Sequence, residues 1–177
     1  KPADLEGRGA GHPLHRMLYV IAKFNKATDW ANGGSLQDTM GDYNSIQSHH
    51  IFPQAFLYRN GYESENHLDK QKVNEIANRA FITRDTNFDI SDENPSEYLK
   101  KVGGKYPEAL KQQMIPTDQS MWEVGKYNDF LMARRKMIAD SINLFLETLK
   151  GKEAEEEVVN YEETIKNGEN DYVEFKS

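Results

Sequence analysis

Cysteine is absent from this chain of 177 residues. No disulfide framework, thiolate zinc site or cysteine nucleophile can therefore operate, and the absence fits a cytoplasmic protein. No apolar run approaches the roughly 18 residues that a membrane span needs, and no signal-peptide pattern opens the chain. No membrane partner is expected. Positive charge is in deficit, with 22 Lys and Arg against 29 Asp and Glu for a net charge of -7. Taken whole, that deficit argues against a nucleic-acid partner, whose phosphates are bound by Lys and Arg displacing counterions. It is unevenly spread, however. Residues 151–177 carry nine acids and three Lys, a net -6, which leaves about -1 for residues 1–150. A near-neutral body neither predicts nor forbids a local basic groove.

Apolar material is sufficient for a core: 37% of residues are hydrophobic, among them 8 Phe, 9 Tyr and 2 Trp. Wholesale disorder is thereby excluded. The length suits one domain, or one domain plus a fragment. The chain opens on Lys1 rather than Met, as a segment of a longer protein would.

Residues 1–12 are polar, contain three Gly and read as a linker or disordered start. From Pro13 the apolar residues Leu14, Met17, Leu18, Ile21, Ala22 and Phe24 recur at helical spacing, with the proline in the first turn. Residues 30–43 are broken by Asn32-Gly33-Gly34 and read as a loop with a short helical piece. Ser45 to Phe52 reads as a strand stopped by Pro53, and Gln54 to Tyr58 as one helical turn closed by Asn60-Gly61. Asp69 to Ala77 suits a short helix. Arg79 to Thr83, β-branched and aromatic, suits a second strand. Pro95 opens a further helix that Gly103-Gly104 ends. Phe130, Leu131, Arg134, Met137, Ile138, Ile142, Phe145, Leu146 and Leu149 then make one long amphipathic helix, which Gly151 stops.

The residues that carry chemistry are His49 and His50, at the end of the first strand, and Asn78 and Asn87, which flank the second. Neighbouring side chains on an extended chain point to opposite faces, so the two histidines can share a pocket only across a bend, which Pro53 favours. Two short strands paired as a ribbon would bring His49, His50 and Asn87 to one end. That grouping suits metal-assisted phosphodiester hydrolysis, in which an ion polarises the phosphate and a neutral imidazole takes a proton from water. His49 and Asn87 would be the protein ligands, water and substrate phosphate completing the shell, and Asn78 would fix the imidazole tautomer. Adjacent histidines in a strand also occur with no catalytic role, and an asparagine before a strand is often a turn residue.

The string His49-His50-Ile51-Phe52-Pro53 resembles the Asp/His-His-Ile-x-Pro opening of the HNH (ββα-metal) nucleases. The string IANRAFITRDTNFDISDENPSEYL, Ile76 to Leu99, is similar to the second half of the nuclease domain of GmrSD-type, modification-dependent restriction endonucleases. The stretch YNDFLMARRKMIADSINLFLETL resembles the closing helix of that family. The resemblance spans roughly residues 14–150. It implies an α+β, mostly helical fold: a small ββα-metal (His-Me finger) unit set among flanking helices, within a nuclease domain of residues 13–150 with a long C-terminal helix.

The resemblance also implies roles. His49 matches the first metal ligand, His50 the general base, Asn78 the middle asparagine and Asn87 the last metal ligand. The cofactor would be a divalent ion, Mg²⁺ or Mn²⁺. Because His49 stands where the family usually has Asp, the site loses a negative charge, which favours softer ions such as Mn²⁺, Ni²⁺ or Zn²⁺. The implied substrate is DNA carrying modified bases, in a restriction or phage-defence system, with a ParB-like nucleotide-binding domain preceding this one. A catalytically silent nucleic-acid-binding or interaction module is the rival reading, and an RNA-directed nuclease would use the same residues.

Arg79 and Arg84 flank the second strand and are candidate DNA-phosphate contacts, or ordinary surface arginines. His12 and His15 are a candidate metal pair or a solvated helix start. Lys100, Lys101, Lys105 and Lys111 could line a DNA path, although a solvated charge run is the more usual explanation. One of Arg134 and Arg135 is expected to face inward. Residues 151–177 read as an acidic linker, and Asn167 to Lys176 also resembles the opening of a Schlafen/AlbA-like domain.

Overall fold

A computed structural model describes residues 1–37 and 46–174, with side chains of the latter segment to residue 151. The protein is α+β and mostly helical. The elements in order are α1 (Pro13–Phe24), β1 (Ile46–His50), α2 (Gln54–Arg59), α3 (His67–Val73), β2 (Arg79–Thr83), α4 (Arg84–Ile90), α5 (Pro95–Lys105), α6 (Ala109–Gln112) and the long C-terminal α7 (Tyr127–Glu174). The chain divides into two compact units, Lys1–Ile142 and Asn143–Ser177. Among the described residues no helix is long and apolar enough to cross a membrane.

Local chemistry explains most boundaries. Pro13 and Pro95 occupy first-turn positions, where the missing N–H costs nothing, and the Asn94 side chain accepts from Ser96 N to cap α5. β1 and β2 pair antiparallel in the register Ile46↔Thr83 through His50↔Arg79. Two strands alone are marginal, so this ribbon depends on what packs around it. The Gln113 side chain serves as a substitute neighbour for β2: its Oε1 accepts from Phe81 N and its Nε2 donates to Phe81 O, both at 2.6 Å. That pairing covers backbone groups an edge strand would otherwise expose.

Arg134 of α7 is fully buried and has no carboxylate partner. Its guanidinium donates to three carbonyls instead: Ala77 at 2.8 Å, Gln113 at 3.1 Å and Met114 at 3.2 Å. Burial pulls its pKa down to about 9, so it stays charged at neutral pH. It therefore joins α7 to the residue just before Asn78 and to the glutamine that covers β2. Arg135, beside it, forms a two-pronged ion pair with the buried Glu75 at 2.6 and 2.7 Å. Phe52, directly after the bend that follows β1, packs on Tyr127 and Phe130 of α7 with ring centroids 4.8 and 5.0 Å apart.

Three expectations need correction. The opening residues are not a loose start: Pro2–Leu5 form a 3₁₀ turn, Leu5 is only 1% exposed, and Arg8 O accepts from Ile76 N at 2.7 Å. A buried leucine and one backbone bond outweigh the local glycines. Gly151 does not end the last helix, which continues to Glu174. A glycine costs only about 1 kcal/mol in a helix interior, and the Glu-rich stretch after it favours helix. Leu146 and Leu149 belong to that helix yet are exposed, because the buried stripe of Phe130, Leu131, Arg134 and Ile138 lies in the first unit. Of residues 30–43, where a short helical piece is expected, 30–37 form turns and a bridge from Ser35 to Thr28, and 38–43 lie outside the described residues.

Replacing Arg134 with Met keeps the length and removes the donors, leaving three buried carbonyls unsatisfied. R134M is expected to lose about 3 kcal/mol or more, read as a lower urea midpoint at unchanged slope. An unaltered midpoint would show that α7 is held by its aromatic contacts alone.

Candidate functional site

The ribbon runs directly into α4, and that junction is tightly held. The buried Asp29 carboxylate accepts from Thr83 N and Thr83 Oγ1, both at 2.8 Å, from Thr86 Oγ1 at 2.6 Å and from Ala31 N at 3.0 Å. Burial would raise its pKa, but these hydrogen bonds outweigh that effect and lower it, so Asp29 remains ionised. Thr83 Oγ1 in turn accepts from Thr86 N and caps α4. The start of the helix that carries Asn87 is thus locked to the end of β2.

A cavity of about 380 Å³ opens at the other end of β1, lined among others by Ser48, His49, His50, Gln54, Asn87, Phe88 and Asp92. His49, His50 and Asn87 therefore meet in one place. The chain leaves its strand after His50, and this bend lets two successive side chains reach the same cavity.

His49 is only 2% exposed, and its Nδ1 lies 2.7 Å from Asn87 Oδ1. Asn87 Nδ2 donates to Gln47 Oε1 at 2.8 Å, which turns the amide oxygen toward the imidazole. The other ring nitrogen, Nε2, is 3.4 Å from Tyr98 Oη, and that hydroxyl donates to Ile51 O at 2.5 Å. Trp30 meets the His49 ring edge-on, with centroids 5.7 Å apart. Burial drives the pKa of His49 down to about 4, against the opposing effect of its Asn87 hydrogen bond.

His50 Nε2 lies 3.3 Å from Asn74 Oδ1. The same oxygen accepts from Gln54 Nε2 at 2.7 Å and from Arg79 at 3.3 Å, so three donors converge on it. Nε2 must then carry the ring proton, which leaves Nδ1 as the proton-accepting atom. Burial, reinforced by the Arg79 guanidinium, brings the His50 pKa to about 4 and keeps the ring neutral.

Asn78 does not reach either imidazole. Fully buried, it accepts from Phe52 N at 2.8 Å and donates to Phe52 O at 3.0 Å and Val73 O at 2.9 Å. It holds the bend after His50 rather than a ring tautomer, and Asn74 takes the tautomer-setting position expected of it. Sequence spacing could not separate these two asparagines, because both precede β2 and only the helical end of α3 turns Asn74 toward the ribbon. Gln54, Tyr98, Gln47 and Asp29 were equally invisible, since each acts through a partner distant in the chain.

Arg79 is half-buried and folds against the ribbon, donating to Ser48 O and to Asn74, while its Nε is buried without a partner. Arg84 is exposed and lines a neighbouring cavity. The His12 and His15 pair is not assembled. His12 caps α1 through Leu14 N, and His15 Nε2 lies 2.9 Å from Ser48 Oγ. Of the four lysines, Lys101 pairs with Glu93, Lys111 with Glu108, and Lys105 donates to Ala31 O.

Among the described residues no three His, Asp or Glu side chains group as a metal site. The pair His49 Nδ1 and Asn87 Oδ1 nevertheless suits two protein ligands. Adjacent ligands of an octahedral ion sit about 3 Å apart, close to the 2.7 Å found here. Ligation would move the imidazole proton to Nε2, where Tyr98 Oη can accept it while still donating to Ile51 O.

The two histidines predict a pH dependence. Each has an ordinary pKa of 6.5 that folding lowers to about 4. The unfolded chain therefore binds more protons across that window, and stability present above pH 6.5 is lost as pH falls toward 4. The loss between pH 7 and pH 5 is expected to be about 2 kcal/mol per histidine, and H50Q should remove roughly half of it. Urea unfolding at the two pH values measures this, and a flat profile would refute the buried neutral imidazoles.

No protein-family model and no solved structure matches the chain. It is 27% identical over 154 residues to an uncharacterized protein of Methanocaldococcus jannaschii, an alignment covering 79% of this chain and 24% of that protein. The chain thus spans about a quarter of that relative's length.

Proposed function

We propose that this chain is an HNH-type (ββα-metal) endonuclease domain that hydrolyses phosphodiester bonds in DNA with a divalent ion. The observation that carries the reading is the meeting of His49, His50 and Asn87 in one cavity, where an antiparallel two-stranded ribbon passes directly into a helix. By the resemblance, the substrate is modified DNA and the chain works beside a ParB-like domain in a restriction system.

A divalent ion between His49 and Asn87 would supply Lewis-acid polarisation of the phosphate and stabilisation of the leaving oxygen. His50 accepts the proton of the attacking water at Nδ1, and Asn74 holds its Nε2–H. Gln54 and Arg79 fix Asn74 in turn. Asn78 keeps the bend after His50 in place through both polar groups of Phe52. Tyr98 and Trp30 exclude water behind His49.

One observation favours a catalytically silent binding module: His49 and Asn87 already satisfy one another through a hydrogen bond, so an ion must displace it. Melting with and without Mn²⁺ separates the two, because an ion held only by the folded state raises the melting temperature.

The decisive assay is plasmid nicking by the full chain with Mg²⁺, Mn²⁺, Ni²⁺ or no metal. H50A is expected to lose a factor of about 10² or more, and N74A to lose rate with a shifted pH profile while still melting cooperatively. Equal cutting by H50A and the unaltered chain, or no cutting with any ion, overturns the proposal.

A further inference from the structure

Phe88 stands one residue beyond Asn87 on α4 and is 83% exposed, the most exposed of the large apolar side chains among the described residues. Helix α4 buries Thr86 and Ile90 while Arg84, Asp85, Phe88 and Asp89 face water. Packing therefore does not account for an aromatic ring at this position. The ring lines the cavity that holds His49, His50 and Asn87. It also lines an adjoining cavity of about 520 Å³, with Gln47, Arg84, Asp85, Asn87 and Asp89.

We propose that Phe88 and this adjoining cavity form a nucleobase subsite, the ring stacking on an unpaired base next to the scissile phosphate. The inference rests on the nuclease reading and deepens it by naming the form of the substrate: a strand unpaired beside the cleaved bond, either single-stranded or a duplex opened at that step.

Position supplies the first argument. Asn87 and Phe88 are the wall shared by both cavities, so a strand bound at His50 places its neighbouring nucleotide against the ring. Stacking supplies the second. An exposed aromatic face accepts any base, whereas a base within a duplex has both faces covered by its neighbours. The third is the rim. Asp85 and Asp89 stand beside Arg84 on the wall of the second cavity and offer carboxylate acceptors to a base. Carboxylates accept hydrogen bonds from exocyclic amino groups, so cytosine, adenine or guanine suits the subsite better than thymine. Gln47, whose Oε1 accepts from Asn87 Nδ2, lines the same cavity and adds an amide to its polar wall.

The test compares the unaltered chain with F88A and F88W. Binding to single-stranded and fully paired oligonucleotides of one sequence, carrying 2-aminopurine, is followed by fluorescence without metal, and cleavage of both is measured with Mn²⁺. The unaltered chain should prefer the single strand and quench the 2-aminopurine. F88A should bind it roughly tenfold more weakly, with KM raised and kcat little changed, and F88W should restore both. Melting of F88A should match the parent, because the ring is exposed, so lost binding cannot be lost folding. Equal binding and KM for F88A and the parent, with the parent still cutting and H50A inactive, would sink the subsite and leave the nuclease reading standing. Duplex cut as readily as single strand, and equally well by F88A, would do the same. A parent that neither binds nor cuts any oligonucleotide and matches H50A would overturn both.

Discussion

A buried positive charge on the last helix organises the rest of the molecule. Arg134 has no acid to neutralise it, and only three backbone carbonyls, from Ala77, Gln113 and Met114, offset the cost of removing it from water. Those carbonyls belong to the 3₁₀ turn before β2 and to the turn after α6. One immediately precedes Asn78, and another belongs to the glutamine whose side chain completes β2. Through them α7 fixes a two-stranded ribbon that could not persist alone.

The candidate site inherits its rigidity from that anchor through side chains that hold backbone. Asn78 clamps both polar groups of Phe52, and Phe52 packs on Tyr127 and Phe130. Asp29 gathers Thr83, Thr86 and Ala31 and so locks the ribbon to α4. Each is a buried polar group with its bonds made, and such groups specify one geometry because any slip leaves an unsatisfied partner. The two imidazoles are neutral within this frame, the buried His49 set by Asn87 and Tyr98 and the half-buried His50 by Asn74. Phe88 faces out beside them. The arrangement divides support, lodged in the interior, from contact, lodged at the cavity mouth.

Local chemistry made much of this legible beforehand. Prolines at first helical turns marked the starts of α1 and α5, although α5 runs through Gly103 and Gly104, which were expected to end it, to Lys105, and the β-branched Arg79 to Thr83 marked β2. The adjacent histidines before Pro53 marked the cavity. What failed was distance. Asn74 and Asn78 are four apart, and no spacing rule says which will meet an imidazole. Leu5 looked like part of a frayed end because the residues that bury it lie elsewhere in the chain.

The sequence by itself determined where α1, α5 and the two strands begin, because caps, prolines and side-chain patterning act over a few residues. It also singled out His49, His50 and Asn87 as a group, and the fold brings all three to one cavity. Only the tertiary structure decided that the Asn74 amide, not that of Asn78, holds the His50 ring, that Arg134 ties the far helix to the ribbon, and that Tyr98 and Trp30 close the back of His49. Those contacts join residues 19 to 57 positions apart, and their partners are selected by packing, which no local pattern encodes.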